Sequence, residues 1–319
     1  MSNRSSNIGG QAVIEGIMMR AGEKYAIAVR KPDREIEVKV DTYKELPGAK
    51  KLMKTPVIRG MFAFVDSLVI GIRCLMYSAS FYDDAEETGE NGGEKREPTE
   101  EEKRKKERED SLLMTGTLIL SIVMAVGIFM LLPYLAASQL EKVIKSHWLL
   151  AFLESLIRVA IFLLYMFLIS RMKDIQRTFM YHGAEHKCIN CIENGLPLTV
   201  ENVLGCSREH KRCGTSFLFF VMIVSAVFLM FIYTDDRVLR LVLRLVLIPV
   251  IAGVSYEIIR LAGNSDHPLV NLLSKPGLCL QRLTTKEPDA EQTEVAIAAV
   301  EAVFDWKKWQ EEQGFDTAV

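Results

Sequence analysis

The run Tyr181-His182-Gly183-Ala184-Glu185-His186-Lys187, followed closely by Cys206, His210 and Cys213, gathers most of the metal-capable side chains of the chain into one stretch. On a helix His182, Glu185 and His186 fall at i, i+3 and i+4, so both imidazoles and the carboxylate project from one face. H-x-x-E-H is the inverted form of the zinc-protease signature: two histidines hold the metal and the glutamate polarises water as general base. The implied cofactor is a divalent metal, zinc by ligand type, and the implied catalytic group is Glu185. A catalytic zinc takes a third protein ligand and keeps one position open. His210 and Cys213 are the nearest candidates in sequence, and Glu257 comes within reach if the stretch folds back on the helices around it. Spacing does not choose among them.

A second arithmetic competes. Cys188-x-x-Cys191, eighteen residues, then His210-x-x-Cys213 has the spacing of a closed structural zinc site. That site would leave His182 and His186 without a metal and make the stretch a staple rather than a catalyst. Ordinary reduced thiols are the third reading, and Cys74 and Cys279 sit in apolar contexts as small hydrophobes.

The elements that must position these residues are membrane helices. Ser111 to Leu140 is thirty residues without a charge and Thr215 to Thr234 another twenty, each long enough to cross about 30 Å of hydrocarbon at about 1.5 Å per residue. Trp148 to Ser170 is a third span, interrupted by Glu154 and Arg158, and Val238 to Tyr256 a weaker fourth carrying Arg240 and Arg244. The fold class is therefore an α-helical integral membrane protein with about four transmembrane helices and a small cytoplasmic α+β domain. It divides into an N-terminal β-hairpin and amphipathic helix (1–82), a charged linker (83–110), two spans (111–170), a His/Cys loop (171–214), two more spans (215–260) and a C-terminal segment with an amphipathic helix (261–319).

Within the first part, Tyr25, Ile27 and Val29, a Lys31-Pro32-Asp33-Arg34 turn, and Ile36, Val38 and Val40 spell a hairpin. Pro56 to Ser80 is apolar but carries Arg59, Asp66 and Arg73 at sevens, one charged stripe on a helix. An interfacial or bundle-packed helix fits it better than a fifth span. Asp83 to Asp110, with thirteen acids and seven bases, is expected to be disordered. Glu291 to Gln310 is an amphipathic helix expected to pack on the hairpin or on the membrane surface.

Met1 to Gly10 lacks an apolar signal segment, so the N-terminal part is expected to stay on the side of synthesis. Lysine and arginine are dense between Arg171 and Gly214 and sparse between Ser138 and His147, which puts the former, and with four spans both termini, in the cytoplasm. Reduced cysteines suit that compartment. The net charge of −2 gives no sign of nucleic acid, since no contiguous basic patch is free of neighbouring acids, and no nucleic-acid partner is expected. The bilayer is the partner that composition demands, and the amphipathic segments leave room for a protein partner or a second copy of the chain.

Charges inside spans are the remaining pointers. Glu154 and Arg158, at i and i+4, can pair. Arg237, Arg240 and Arg244 recur at the outer end of the fourth span, against the charge rule, with snorkelling to headgroups as the expected relief. A transporter or channel subunit would use these groups as its path.

Gly9 to Arg20, Tyr181 to Lys187, His210 to Ser216, Ser255-Tyr256-Glu257 and Thr284 to Pro288 together resemble the YqhQ-like family of bacterial multipass membrane proteins over nearly the whole chain. The resemblance implies a bacterial cytoplasmic-membrane protein whose domain, of unknown function, is described as a predicted metal-dependent enzyme. His182, Glu185, His186, His210 and Cys213 lie inside its motifs, whereas Cys188 and Cys206 fall where the pattern is looser. The same resemblance singles out Glu15 and Arg20, as groups that cap the site or line a substrate path, or else as turn and packing residues. The leading expectation is a membrane-bound metal-dependent hydrolase; the alternative is a membrane scaffold with a structural metal site.

Overall fold

The computed structural model describes residues 5–43, 55–90, 100–232, 234, 236–263 and 267–315. The N-terminal part is a four-stranded antiparallel meander, β1 (Ile8–Val13), β2 (Gly16–Ala21), β3 (Lys24–Arg30) and β4 (Ile36–Thr42), in sequential order. The expected hairpin is its second half, with Ala28 opposite Val38. The first half escaped because β2 is covered on both faces and reads as a plain apolar run rather than an alternation. Ile17 and Met19 join one core cluster and Met18 the other.

Three helices make those two faces interior. α5 (Lys173–Glu193) and α11 (Ala290–Glu301) cover one, with Tyr181, Ala184, Ile189, Val295, Ala296 and Val300 in the core. Asp289 and Gln292 form a reciprocal capping box at the start of α11, satisfying backbone donors at its first turn. The expected continuous C-terminal helix is divided, since α11 stops at Glu301 and α12 (Trp306–Glu312) restarts under the Asp305 cap.

α1 (Ile58–Glu90) covers the other face, with Ile70, Cys74, Tyr77, Phe81 and Tyr82 against Val13, Tyr25, Ile27 and Val29. Its Ile58–Tyr82 portion is long and apolar enough to cross a membrane. A helix flanked by a sheet cannot be ringed by lipid, however, and Tyr82 and Tyr43 tie it to the polar layer by hydrogen bonds to the Arg30 carbonyl and to Asp66. The opposite stripe, Val65, Leu68, Val69, Leu75 and Met76, is exposed. The N-terminal end of α1 packs on α9 (Ile248–Gly263), where Gly60 meets Gly253 and Arg59 pairs with Glu257.

The other candidate spans are Thr115–Leu140, His147–Ile169 (α4) and Gly214–Phe231 (α7). The first is composite: α2 (Glu100–Val126) passes through a π-helical turn, Gly127–Leu131, into α3 (Leu132–Leu140). Pro133 explains the break, because it lacks an N–H and its ring displaces the preceding carbonyl. The fourth expected span is a bent pair, α8 (Arg237–Val246) and α9, which meet at 40° next to Pro249 and extend to Gly263 rather than Tyr256. Arg240 and Arg244 do not rely on snorkelling; the Arg237 side chain lies outside the described residues. Arg240 pairs with Glu141, and Arg244 with Glu154.

The charged stretch 83–110, expected to be disordered, carries helix at both ends: α1 runs to Glu90 and α2 starts at Glu100. Glu, Lys and Arg are good helix formers, and a flanking apolar helix supplies the nucleus. Residues 91–99 lie outside the described residues.

Candidate metal centre

α5 carries the chemistry because its buried face and its ligand face are the same stripe. Tyr181, Ala184, Glu185, Cys188 and Ile192 recur at helical spacing and are buried, and His182 and His186 stand on the edge of that stripe towards α7. Each imidazole is locked by its inner nitrogen. His182 Nδ1 lies 2.9 Å from the Thr284 carbonyl oxygen and His186 Nδ1 2.6 Å from that of Arg208. A carbonyl can only accept, so both Nδ1 atoms carry a proton and Nε2 is the atom each ring can offer to a metal. This backbone anchoring is the second-shell pattern of metal-binding histidines.

The third donor is Cys213, the N-cap of α7, whose Sγ accepts from the Thr215 amide at 3.3 Å and stands 3.2 Å from His182 Nε2. One donor atom each from His182, His186 and Cys213 lie within 4.8 Å of one another, and among the described residues this is the one such group. Burial pushes a thiol up, but the two imidazoles beside Cys213 outweigh it and hold this one well below its ordinary range. The helix N-terminus acts in the same sense. Burial lowers an imidazole, yet the Cys213 thiolate more than offsets this for His182, which is held up at about 9. A metal would displace the proton that His182 shares with the thiolate, and two imidazole nitrogens with a thiolate are a borderline-soft donor set of the kind zinc takes.

Glu185 stands between the histidines, buried, and one carboxylate oxygen accepts from the Gly10 amide at 2.9 Å. Burial pushes its carboxyl up, opposed by the neighbouring imidazoles and by that amide. Gly10 has no room for a side chain, since a Cβ would come 3.1 Å from the carboxyl carbon of Glu185.

The centre opens into a cavity of about 860 Å³ that Glu185, His182, His186 and Cys213 line on one side. Phe64 and Leu68 of α1, Phe217 of α7, and Tyr256 and Ile259 of α9 make an apolar wall, with Arg20 at the sheet side. The candidate centre therefore sits where the sheet domain meets the spans.

The remaining candidates stand outside the donor group. His210 lines the cavity but is engaged by Glu193 at 3.5 Å, and its backbone is clasped by Gln281, which accepts from its amide at 2.9 Å and donates to its carbonyl at 2.7 Å. Glu257 is held by Arg59 and the Val57 amide. Glu15, in the β1–β2 turn at φ 48°, bonds Arg177 and the Tyr181 hydroxyl, which makes it an anchor of the turn on α5. Arg20 stacks over the Tyr43 ring and donates to the Gly22 carbonyl. The Cys-Cys-His-Cys staple does not assemble: Cys188 is in the apolar core and the Cys191 thiol faces the Leu196 and Pro197 carbonyls.

Sequence reasoning missed the supports. Gly183 lets the Thr284–Pro288 segment cross α5, because a Cβ there would overlap the Lys286 carbonyl; Lys286 donates to Phe179 O at 2.9 Å in that crossing. Asn190 donates to the carbonyls of Ser207 and Glu209, and Lys187 to that of Leu204, pinning the segment that delivers Arg208 and Cys213. Gly9-Gly10 and Thr284–Pro288 stood out as motifs, without a role until the backbone contacts were visible.

Fold and site together define a multipass membrane protein with a small α+β domain and a buried His-His-Cys group capable of holding a metal. The family model "Protein of unknown function (DUF1385)" matches residues 55–306, and the chain belongs to that family. It is 37% identical over 292 residues to "Uncharacterized protein YqhQ" of Bacillus subtilis (strain 168), covering 91% of this chain and 89% of the relative. No solved structure matches the chain.

Proposed function

We propose that this protein is a membrane-bound metal-dependent hydrolase with a cytoplasm-facing centre. The observation that carries the reading is a three-donor set, oriented by backbone carbonyls, on the wall of a cavity. A structural zinc site is closed by four protein ligands, whereas a catalytic one keeps a position open to solvent or substrate. His182, His186 and Cys213 would hold the metal, which when bound supplies Lewis acidity and lowers the pKa of water. Glu185, raised by burial and fixed by Gly10, takes the proton from the attacking water and returns it to the leaving group. The lysine and arginine bias between Arg171 and Gly214 supports the cytoplasmic orientation.

A second reading has its own support. The donors tie α5 to the head of α7, so a metal there would also staple the domain to the bundle, as a scaffold protein requires. Metal-loaded protein incubated in detergent with a panel of quenched-fluorescence peptides and chromogenic esters separates the two. A hydrolase loses turnover in Glu185→Gln while keeping metal and melting temperature. Hydrolysis in neither protein, with chelation collapsing the fold, leaves the staple.

A further inference from the structure

A second cavity, of about 400 Å³, lies inside the helix bundle, apart from the metal centre. Apolar side chains of the π-helical turn, α4, α7 and the α8–α9 bend line it, Phe129, Phe162, Met222 and Ile248 among them. Arg158 and Arg244 are the two ionised groups in that lining, and both also bind Glu154. Arg244 makes a fork to the carboxylate, at 2.6 and 2.8 Å. Arg158 reaches it at 3.0 Å and donates to the Ser225 hydroxyl at 2.8 Å.

Two guanidinium groups against one carboxylate leave one uncompensated positive charge. All three are buried, with 9%, 8% and 5% exposure for Arg158, Arg244 and Glu154. Arg158 stands about 16 Å along α4 from its start, near the middle of a hydrocarbon layer about 30 Å thick. An unbalanced charge there is expensive and marks a site of function. The Tyr134 ring under Arg244, at 4.8 Å, relieves part of it. The Nε–H groups of both arginines are buried and have no acceptor among the described residues. Two of the four spans that border the cavity are interrupted beside it, by the π turn and by the bend at Ile248, as helices are at intramembrane ligand sites.

We infer that this cavity binds an anionic amphiphile, a single carboxylate or phosphate headgroup on an aliphatic chain. The headgroup neutralises the surplus charge and accepts from the two Nε–H groups; the chain occupies the apolar remainder. A bare inorganic anion would leave most of the space unfilled, and an uncharged chain would leave the charge unbalanced. One surplus charge favours the carboxylate over the more highly charged phosphate.

Titration of the detergent-purified full chain with the fluorescent polyene cis-parinaric acid tests this, with oleate, oleyl alcohol, lysophosphatidate and acetate as competitors. The expected result is saturable one-to-one binding, displaced by oleate and at least about tenfold less well by oleyl alcohol, since a charge-assisted hydrogen bond is lost. Acetate should have no effect. The relative potency of oleate and lysophosphatidate assigns the headgroup source. Equal potency of acid and alcohol, displacement by acetate alone, or no saturable binding would overturn the inference. Arg244→Gln should abolish binding. Because that variant can misfold, Met222→Trp, which fills the cavity and leaves the ion triad intact, should also abolish it at unchanged melting temperature; retention of binding there equally overturns the assignment.

Discussion

His182 Nδ1 and the carbonyl oxygen of Thr284 meet at 2.9 Å across 102 positions of sequence, and this contact fixes which nitrogen His182 offers to its neighbours. It depends on Gly183, the next residue, which has no side chain to hold the Thr284–Pro288 segment away from α5. Gly183→Ala should therefore loosen the His182 ring without touching a donor atom. Loss of a second-shell support typically weakens metal binding about 10–100-fold, and metal-competition titration against a chromogenic chelator should register a fall of that size.

Ligand assignment is tested by elemental analysis of variants purified in parallel. His182→Ala and Cys213→Ser should lose near-stoichiometric metal, whereas Cys188→Ala should retain it, because Cys188 is part of the apolar core beneath the centre. His210→Gln should retain it too, since His210 lies outside the donor group and leans on Glu193. Metal lost from Cys188→Ala but kept in His182→Ala would reverse the assignment.

How much of this was legible in the sequence depended on whether a contact was periodic or long-range. The i, i+3, i+4 spacing of His182, Glu185 and His186 is a local property of a helix, and it was readable. The choice among His210, Cys213 and Glu257 was not, because it is made by where α7 begins relative to α5 and by Arg59 claiming Glu257. The hairpin of β3 and β4 was visible because β4 alternates apolar and polar residues; β2 was hidden by burial on both sides of the sheet, and with it the pairing of β1 to β2. Arg240 and Arg244 looked anomalous because their partners, Glu141 and Glu154, are about a hundred residues away.

Acid should unfasten the segment that carries His210 and Arg212. Burial works to raise the Glu193 carboxyl, but the His210 ring, Arg212 and the Ser6 amide overcome this and hold it at about 2, well below the usual 4.5 of a glutamate. A carboxylate with a depressed folded-state pKa contributes stability above its unfolded value, and that contribution drains away as pH falls from about 4.5 towards about 2. The shift corresponds to about 3 kcal/mol. Melting temperature followed from pH 7 to pH 3 should fall in the wild type, and the part of the fall below about pH 4.5 should be reduced in Glu193→Gln.

Glu15 tests the anchor of the first hairpin independently of the centre. Its carboxylate holds Arg177 and the Tyr181 hydroxyl, and its half-exposed arginine partner limits what the ion pair contributes. Glu15→Gln should destabilise by about 1–2 kcal/mol, most of it from the weakened bond to Tyr181, while metal content stays unchanged. Loss of metal in this variant would place Glu15 in the centre's support rather than in the turn's.

Packing also constrains topology. The sheet is sandwiched between α1 on one face and α5 and α11 on the other, so the segments before α1 and after α10 (Pro268–Thr284) lie on one side of the bilayer. Ile58–Tyr82 is itself long and apolar enough to cross; we predict that α1 lies along the membrane surface under the sheet instead, which leaves the composite α2–α3 helix, α4, α7 and the bent α8–α9 pair as the crossings, an even number. In a Cys279→Ser background, which removes the exposed native thiol, a cysteine placed at Val143 in the exposed turn between α3 and α4 should react with an impermeant maleimide on intact cells. A cysteine at Asp33 in the β3–β4 turn should react only after permeabilisation. Protection of both on intact cells would mean that α1 crosses after all, and would move the metal centre to the other side.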